Sequence, residues 1–341
     1  MGNKRIAILN DTSRNAHFGC YAVMSTLARS LEAANLTPTA LWPVFADWRE
    51  FKSRLLALNV DGIVVNGEGT IHHSLENSAA ASLCGLAQFV RQHLDIPVFL
   101  VNATLSDIAD AHMEQLRWYS GIFARESRSH RYLQSFGIAS QIVPDLSLYC
   151  EIPDSTRVRT SPPMVFDSVI KSTSRQLEQF ATEHGFPFRT MFDQEYRKSV
   201  LTRAFYRRVA RWDVLNRMLP SLFVSRRVTE CKGFTTFVNE LATASGIVTG
   251  RFHAMTLAVK TRTPFLAIES NTTKVSDFVK DALGSHRRVV NVNELSERFG
   301  RGRTADGIPR FDDEELTHIE CFLARGRQAL ADMISTLSQA I

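Results

Sequence analysis

Residues 246–270, "GIVTGRFHAMTLAVKTRTPFLAIES", pass from a short apolar strand into a helical pattern and then into a second apolar strand led by Pro264. Two strands joined by a helix run the same way, so this succession is a unit of parallel sheet with a crossover helix. Arg251 and His253 stand one residue apart where the first strand gives way to the helix. Open α/β sheets bind ligands at the carboxyl ends of their strands, so a guanidinium and an imidazole placed there are candidate site residues.

The same alternation runs through the rest of the chain. "RIAIL" (5–9) precedes a helix over 21–33, "DGIVV" (61–65) a Gly-rich turn and a helix over 79–93, and "PVFLV" (97–101) a helix near 107–119. "GIFAR" (121–125) precedes a helix over 127–136, and "SQIVPD" ends this half. Residues 1–150 therefore read as one doubly wound domain. "EIPDSTRVRTSPP" (151–163) carries three prolines and no periodicity, which marks a linker. A second α/β unit over 164–311 contains "MVFDSVI", helices over 174–183 and 234–244, and the 246–270 stretch. A last helix, from 312 to the end at 341, is placed to cross back and brace the first domain. No internal repeat or low-complexity tract interrupts this order.

At 341 residues and 44% hydrophobic content the chain can build about two domains with proper cores. No run approaches the roughly 20 apolar residues of a spanning helix, and "MGNKRIAILN" reads as a strand rather than a cleaved signal, so a cytoplasmic protein is expected. Five scattered cysteines without C-x-x-C spacing indicate buried thiols rather than disulfides or a zinc site. The net charge of +5 is unevenly spread: residues 196–228 hold nine Lys/Arg and one acid, Asp213. Leu201, Phe205, Val209, Trp212, Leu215 and Leu219 mark one helix face there, and Arg203, Arg207 and Arg211 another, before Pro220. A solvated cationic face is one reading of this basic amphipathic helix; peripheral contact with anionic lipid or an acidic glycan is the other. No nucleic-acid partner is expected.

The remaining candidates also lie just past strands. "NGEGTIHH" (66–73) sets Glu68 between Gly67 and Gly69, whose missing side chains let backbone N–H groups approach an anion, with a plain tight turn as the competing explanation. Adjacent residues point apart, so His72 and His73 are expected to be structural or exposed rather than a metal pair. Arg125 follows "GIFA", with Ser127 or Ser129 positioned to cap the next helix. At the helix start near 252–255, free N–H groups and the positive dipole end favour an anion, Arg251 adds a planar fork, and His253 adds a proton carrier.

"GRFHAMTLAVKTRTPFLAIESNTTKVSDF" together with "GIFARESRSHRYLQSFGIASQIVPDLSL" (121–148) resembles the polysaccharide pyruvyl transferase family, which shows a strand, R-x-H-A, a proline-led strand and a lysine, and earlier an arginine-serine helix ending in "GI…VPD". "IVVNGEGT" and "HFGCYAVMSTLARSL" fill the remaining family positions in the same order, so the resemblance runs from about residue 5 to residue 280. It implies two Rossmann-like domains in a GT-B-like arrangement with an interdomain cleft, residues 1–150 facing the acceptor and 164–311 the donor. It also implies transfer of pyruvate from phosphoenolpyruvate onto a sugar as a ketal, without a cofactor. Arg251 and His253 match the family's donor-binding and catalytic positions, Arg125 its helix-start arginine and Lys274 its late lysine; Gly67 and Gly69 fall on the donor side of the site and Glu68 is a second catalytic candidate. No Asp-x-Asp or clustered ligand set points to a metal.

Three departures stand in the first domain: His17-Phe18-Gly19-Cys20 for Asn-x-Gly-Asp, Gly67-Glu68-Gly69 for three glycines, and "NATLSD" (102–107) for Gly-x-Gly-Pro. They leave open an unusual acceptor or another donor. A pyruvyltransferase acting on a lipid-linked or nucleotide-linked surface glycan is the first expectation. A GT-B-like glycosyltransferase using a nucleotide sugar, with Glu68 or His253 as base, is the second, and a non-catalytic scaffold of a glycan-assembly complex the third.

Overall fold

The computed structural model describes residues 2–152, 158–193, 224–270, 273–300 and 307–341. Residues 196–223 of the basic stretch, with Arg203, Arg207 and Arg211, therefore lie outside the described residues.

The chain is an α/β protein with two parallel sheets. In the first, strands β1 (Lys4–Asp11), β2 (Leu36–Pro43), β3 (Gly62–His72), β4 (Val98–Ser106), β5 (Gly121–Ala124) and β6 (Gln141–Ile142) stand in the order β2-β1-β3-β4-β5-β6. In the second, β7 (Met164–Ser168), β8 (Phe188–Arg189), β9 (Ile247–Gly250) and β10 (Phe265–Ala267) stand in the order β10-β9-β7-β8. Both sheets are parallel throughout their paired strands. Ile6, Ile8, Val64, Phe99 and Val101 pack on one face of the first sheet, and Ala7, Leu9, Val65, Leu100 and Ala103 on the other, as a sheet covered by helices on both sides requires.

The helices of the first half are α1 (Phe18–Ala33), α2 (Lys52–Leu56), α3 (Ser78–Leu94), α4 (Asp110–Leu116) and α5 (Ser127–Ser135). In the second half come α6 (Lys171–His184), α7 (Phe234–Thr243), α8 (Phe252–Thr261), α9 (Lys274–Leu283), α10 (Val292–Phe299) and α11 (Asp313–Ala340). Helix α11 serves both cores. Its Ile319, Phe322 and Leu323 pack with Phe278 and Met255, while Met333, Ile334 and Leu337 pack with Ile6, Ile8 and Leu27. Midway, Gly326 leaves room for the Tyr149 ring, whose hydroxyl oxygen a Cβ at that position would strike. Among the described residues no helix is long and apolar enough to cross a membrane.

Two details depart from the sequence reading. The Gly-rich segment after Val65 is not a turn: β3 continues to His72, with Glu68 opposite Ala103 and Ile71 opposite Leu105, and a bulge between them. Glu68 absorbs that irregularity at φ 40°, a left-handed conformation costly for a side-chain-bearing residue. Gly67 is needed for packing, since a Cβ would lie 2.8 Å from the Ala103 backbone. Ser127 and Ser129 do not cap α5 either. Its first N–H, on Ser127, donates to Asp281 of α9 at 3.0 Å, so a carboxylate from the second half terminates a helix of the first.

Candidate functional site

The carboxyl ends of the two sheets meet at the first turns of α1 and α8. His17 caps α1, its Nδ1 accepting from the Cys20 N–H at 3.3 Å, and its ring stands edge-on to His253 with centroids 5.4 Å apart. Gly19, in the same turn, lies so close under His253 that any Cβ would collide with the imidazole. Helix α8 begins without a side-chain cap, which leaves its first N–H groups to the site.

Arg251 points back across β9 to β7. Its Nε donates to Asp167 Oδ1 at 2.8 Å and its Nη2 to Asp167 Oδ2, a bidentate pair, and the guanidinium lies 5.6 Å from the Phe192 ring centroid. With 16% of its side chain exposed, Arg251 keeps an edge for an anion. Arg125 does not. Its side chain is 2% exposed, its Nη1 donates to Asp145 Oδ2 at 2.8 Å, its Nε to Thr104 Oγ1 at 2.6 Å, and it stacks 4.3 Å from the Phe252 ring centroid. The expected open donor contact is thus a buried cation whose charge is already matched. Gly69 abuts the same guanidinium, its Cβ position being 3.6 Å from Nη2.

His253 Nε2 is buried without a hydrogen-bond partner and stands 3.8 Å from Asp145 Oδ2. Burial holds the imidazole below its ordinary pKa; Asp145 and Glu68 oppose that, and Arg125 and Lys274 reinforce it. Asp145 is fully buried and accepts from Ser147 N at 3.0 Å and Ser147 Oγ at 2.6 Å. Burial resists its ionisation most strongly, yet His253, Arg125 and the Ser147 bonds outweigh it and hold the carboxyl below its usual range. Glu68 faces the site from the first sheet. Its Oε1 accepts from Thr12 Oγ1 at 2.5 Å and Asn66 Nδ2 at 2.9 Å, while the Cys20 thiol lies 3.5 Å from Oε2.

Lys274 opens α9 beside these groups. Burial, then Arg125 and Arg251, push its ammonium down to about 8 against the opposing Glu269 and Glu126. Lys274 is therefore only half charged at about pH 8, and an anion that relies on it binds more weakly as pH rises through that value. Calorimetry with inorganic phosphate in buffers of different ionisation enthalpy should show proton uptake on binding near pH 8, and Lys274→Met should remove it. Unchanged proton uptake in the variant would assign the titration to another group.

His72 and His73 correct a further expectation. Their rings do not point apart: the Nδ1 atoms approach to 3.0 Å, and His73 Nε2 lies 3.4 Å from Asp107 Oδ2. Strand alternation fails here because β3 ends at His72 and His73 takes φ 49°. The structure thus gathers His253, Arg251, Lys274 and Glu68 at one junction, sets Arg125 behind them, and places His72 at the carboxyl end of β3, within electrostatic reach of Lys274. Sequence reasoning held His17 and Asp145 inside motifs without giving either a role, and missed Asp167. An acid closing an apolar strand, as in "MVFDS", was the available signal for Asp167.

Two parallel Rossmann-like sheets that meet at their strand ends make a GT-B-like fold. UDP-GlcNAc 2-epimerase from Methanocaldococcus jannaschii, in complex with UDP-GlcNAc and UDP, shares it at a TM-score of 0.53 and 12% identity over 98% of this chain and 99% of that one. S. aureus MnaA with UDP is similar at a TM-score of 0.48 and 13% identity, covering 94% of this chain and 97% of that chain. No curated protein matches the chain in sequence. The model of the polysaccharide pyruvyl transferase family matches residues 17–272, and the chain belongs to that family of transferases. The matched span takes in His17, Glu68, Arg125, Asp145, Asp167, Arg251 and His253, and stops just short of Lys274.

Proposed function

We propose that this transferase moves the pyruvyl group of phosphoenolpyruvate onto two hydroxyls of a sugar, as a cyclic ketal, on a lipid-linked or nucleotide-linked glycan destined for a surface polysaccharide. The observation that carries the reading is His253: a buried imidazole at an uncapped helix start, with Arg251 and Lys274 beside it and the Glu68 carboxylate across from it. The donor's phosphate and carboxylate suit the helix N–H groups, the free edge of Arg251 and Lys274.

The chemistry follows. Protonated His253 gives its proton to the vinyl CH₂ carbon, which becomes the methyl group, and C2 becomes electron-poor. A sugar hydroxyl adds to C2 and releases its proton to Glu68, the C2–O bond to phosphate breaks with the electron pair leaving on phosphate, and the second hydroxyl closes the ketal by giving its proton to the now neutral His253. An anionic donor also raises the pKa of the imidazole it touches, which supplies the protonated form that the free protein disfavours.

The test is a thermal-shift screen of phosphoenolpyruvate against UDP-, GDP- and CMP-sugars, followed by assay of released phosphate and of the ketal methyl signal by NMR. Stabilisation by phosphoenolpyruvate with phosphate release is expected. Stabilisation by a nucleotide sugar alone would replace this reading with glycosyl transfer, and silence from every donor would point to the scaffold.

A further inference from the structure

We infer that Arg125 and Asp145 are positioning residues for His253: Asp145 is the fixed anion that His253 Nε2 faces, and Arg125 is the clamp that holds this anion and the first turn of α8 in place. The inference deepens the pyruvyl-transfer reading, and it rests on that reading only for the direction of proton movement.

The geometry is that of a three-part chain. Asp145, with no exposure at all, has Oδ1 taken by the N–H and hydroxyl of Ser147. Its Oδ2 takes Arg125 Nη1 at 2.8 Å and faces His253 Nε2 at 3.8 Å. Arg125 reaches this point from the end of β5, fixed by Thr104 on β4, and its guanidinium plane lies on Phe252, the residue before His253. Ser147 Oγ lies 2.7 Å from Thr256 Oγ1, and Thr256 donates to the His253 carbonyl at 3.1 Å, so the segment carrying Asp145 is tied to the same helix turn by a second route. A charge buried this deeply costs several kcal/mol unless it is paired. Here both members of the pair come from the first half of the protein, and the pair ends on an imidazole of the second half whose facing nitrogen has no partner.

This arrangement divides the charges around His253 into two sets. Asp145 and Glu68 favour the imidazolium, while Arg125, Lys274 and the His17 ring disfavour it, with Arg251 opening its own helix. Asp145 and Arg125 therefore act on His253 with opposite sign through one shared contact. A structural role alone would lower stability or turnover in both variants. A positioning role moves the proton affinity of His253 in opposite directions.

The deciding measurement is the NMR titration of the His253 ring proton in the unliganded full chain, which needs no substrate and so does not depend on the reaction assigned above. Asp145→Asn should lower the His253 midpoint by about one pH unit or more, as loss of a close opposite charge does. Arg125→Gln should raise it, and Arg125→Lys, which keeps the charge, should bring it back towards the wild-type value. If Asp145→Asn does not fold, the two Arg125 variants still decide. Midpoints unmoved in folded variants, or moved in the same direction by both charge removals, overturn the inference. With phosphoenolpyruvate and an acceptor, Asp145→Asn should also pull the alkaline limb of kcat to lower pH with little change in KM. A shifted midpoint without turnover on phosphoenolpyruvate would keep the positioning pair and discard the donor.

Discussion

His253→Ala is expected to lower turnover about 10²–10⁴-fold, the usual loss when a positioned proton carrier is removed, while phosphoenolpyruvate still binds. The reason is that the groups holding the donor and the group moving its proton are different. An uncapped α8 start, Arg251 steadied by Asp167, and Lys274 all survive the substitution. Only the imidazole that sits over Gly19 is lost. Single-turnover rates set beside a calorimetric donor Kd check this. A variant that keeps a near wild-type rate on a verified acceptor would remove His253 from the chemistry, and one that loses donor binding outright would make it a binding residue.

Glu315→Ala is expected to cost about 3–5 kcal/mol of stability, the range seen when one partner of a buried ion pair is deleted. Arg288 and Glu315 are 3% and 1% exposed at the side chain. They bond through Nε–Oε1 and Nη2–Oε2, both at 2.6 Å, and the rest of the guanidinium is spent on the carbonyls of Phe265, Pro309 and Arg310. Glu315 also completes the capping box that starts α11 with Asp312. The double variant Arg288→Met with Glu315→Leu leaves no charge buried and should recover a large part of the loss. Burial works against ionisation of Glu315, but the bonds and charge of Arg288, with Arg287, hold its carboxyl below the ordinary 4.5. Its folded pKa is depressed, so its contribution is complete above about pH 4.5 and disappears as pH falls further. Chemical denaturation of the three proteins at neutral and acidic pH measures both effects, and equal stability of Glu315→Ala and wild type at neutral pH would refute the assignment.

The α/β class and the place of Arg251 and His253 between a strand end and a helix start were legible because both are local: strand, turn and helix start lie within a few residues of one another. What the sequence hid is what requires distance along the chain. The counter-ions of the two arginines lie 20 residues from Arg125 and 84 from Arg251, and no spacing rule connects them. Strand β2 went unread because "LTPTALWP" carries two prolines; it is tolerated as the sheet edge, where Pro38 stands opposite Ile6 and the register slips at the next pair. The turn read into Gly67–Gly69 failed for the converse reason. Glycine marks bulges as well as turns, and only the Ala103 backbone on the neighbouring strand shows which of the two this is.

The double seating of α11 has a consequence in time. During synthesis the six strands of the first sheet are complete by Ile142, yet the face built on Ile6, Ile8 and Leu27 is closed by Met333, Ile334 and Leu337, which are made much later. At about 5–20 residues per second, the roughly 200 residues in between take on the order of 10–40 s to appear. Through that interval the first sheet presents an unfinished apolar face to the cell, and neither half reaches its final form until α11 has emerged from the ribosome.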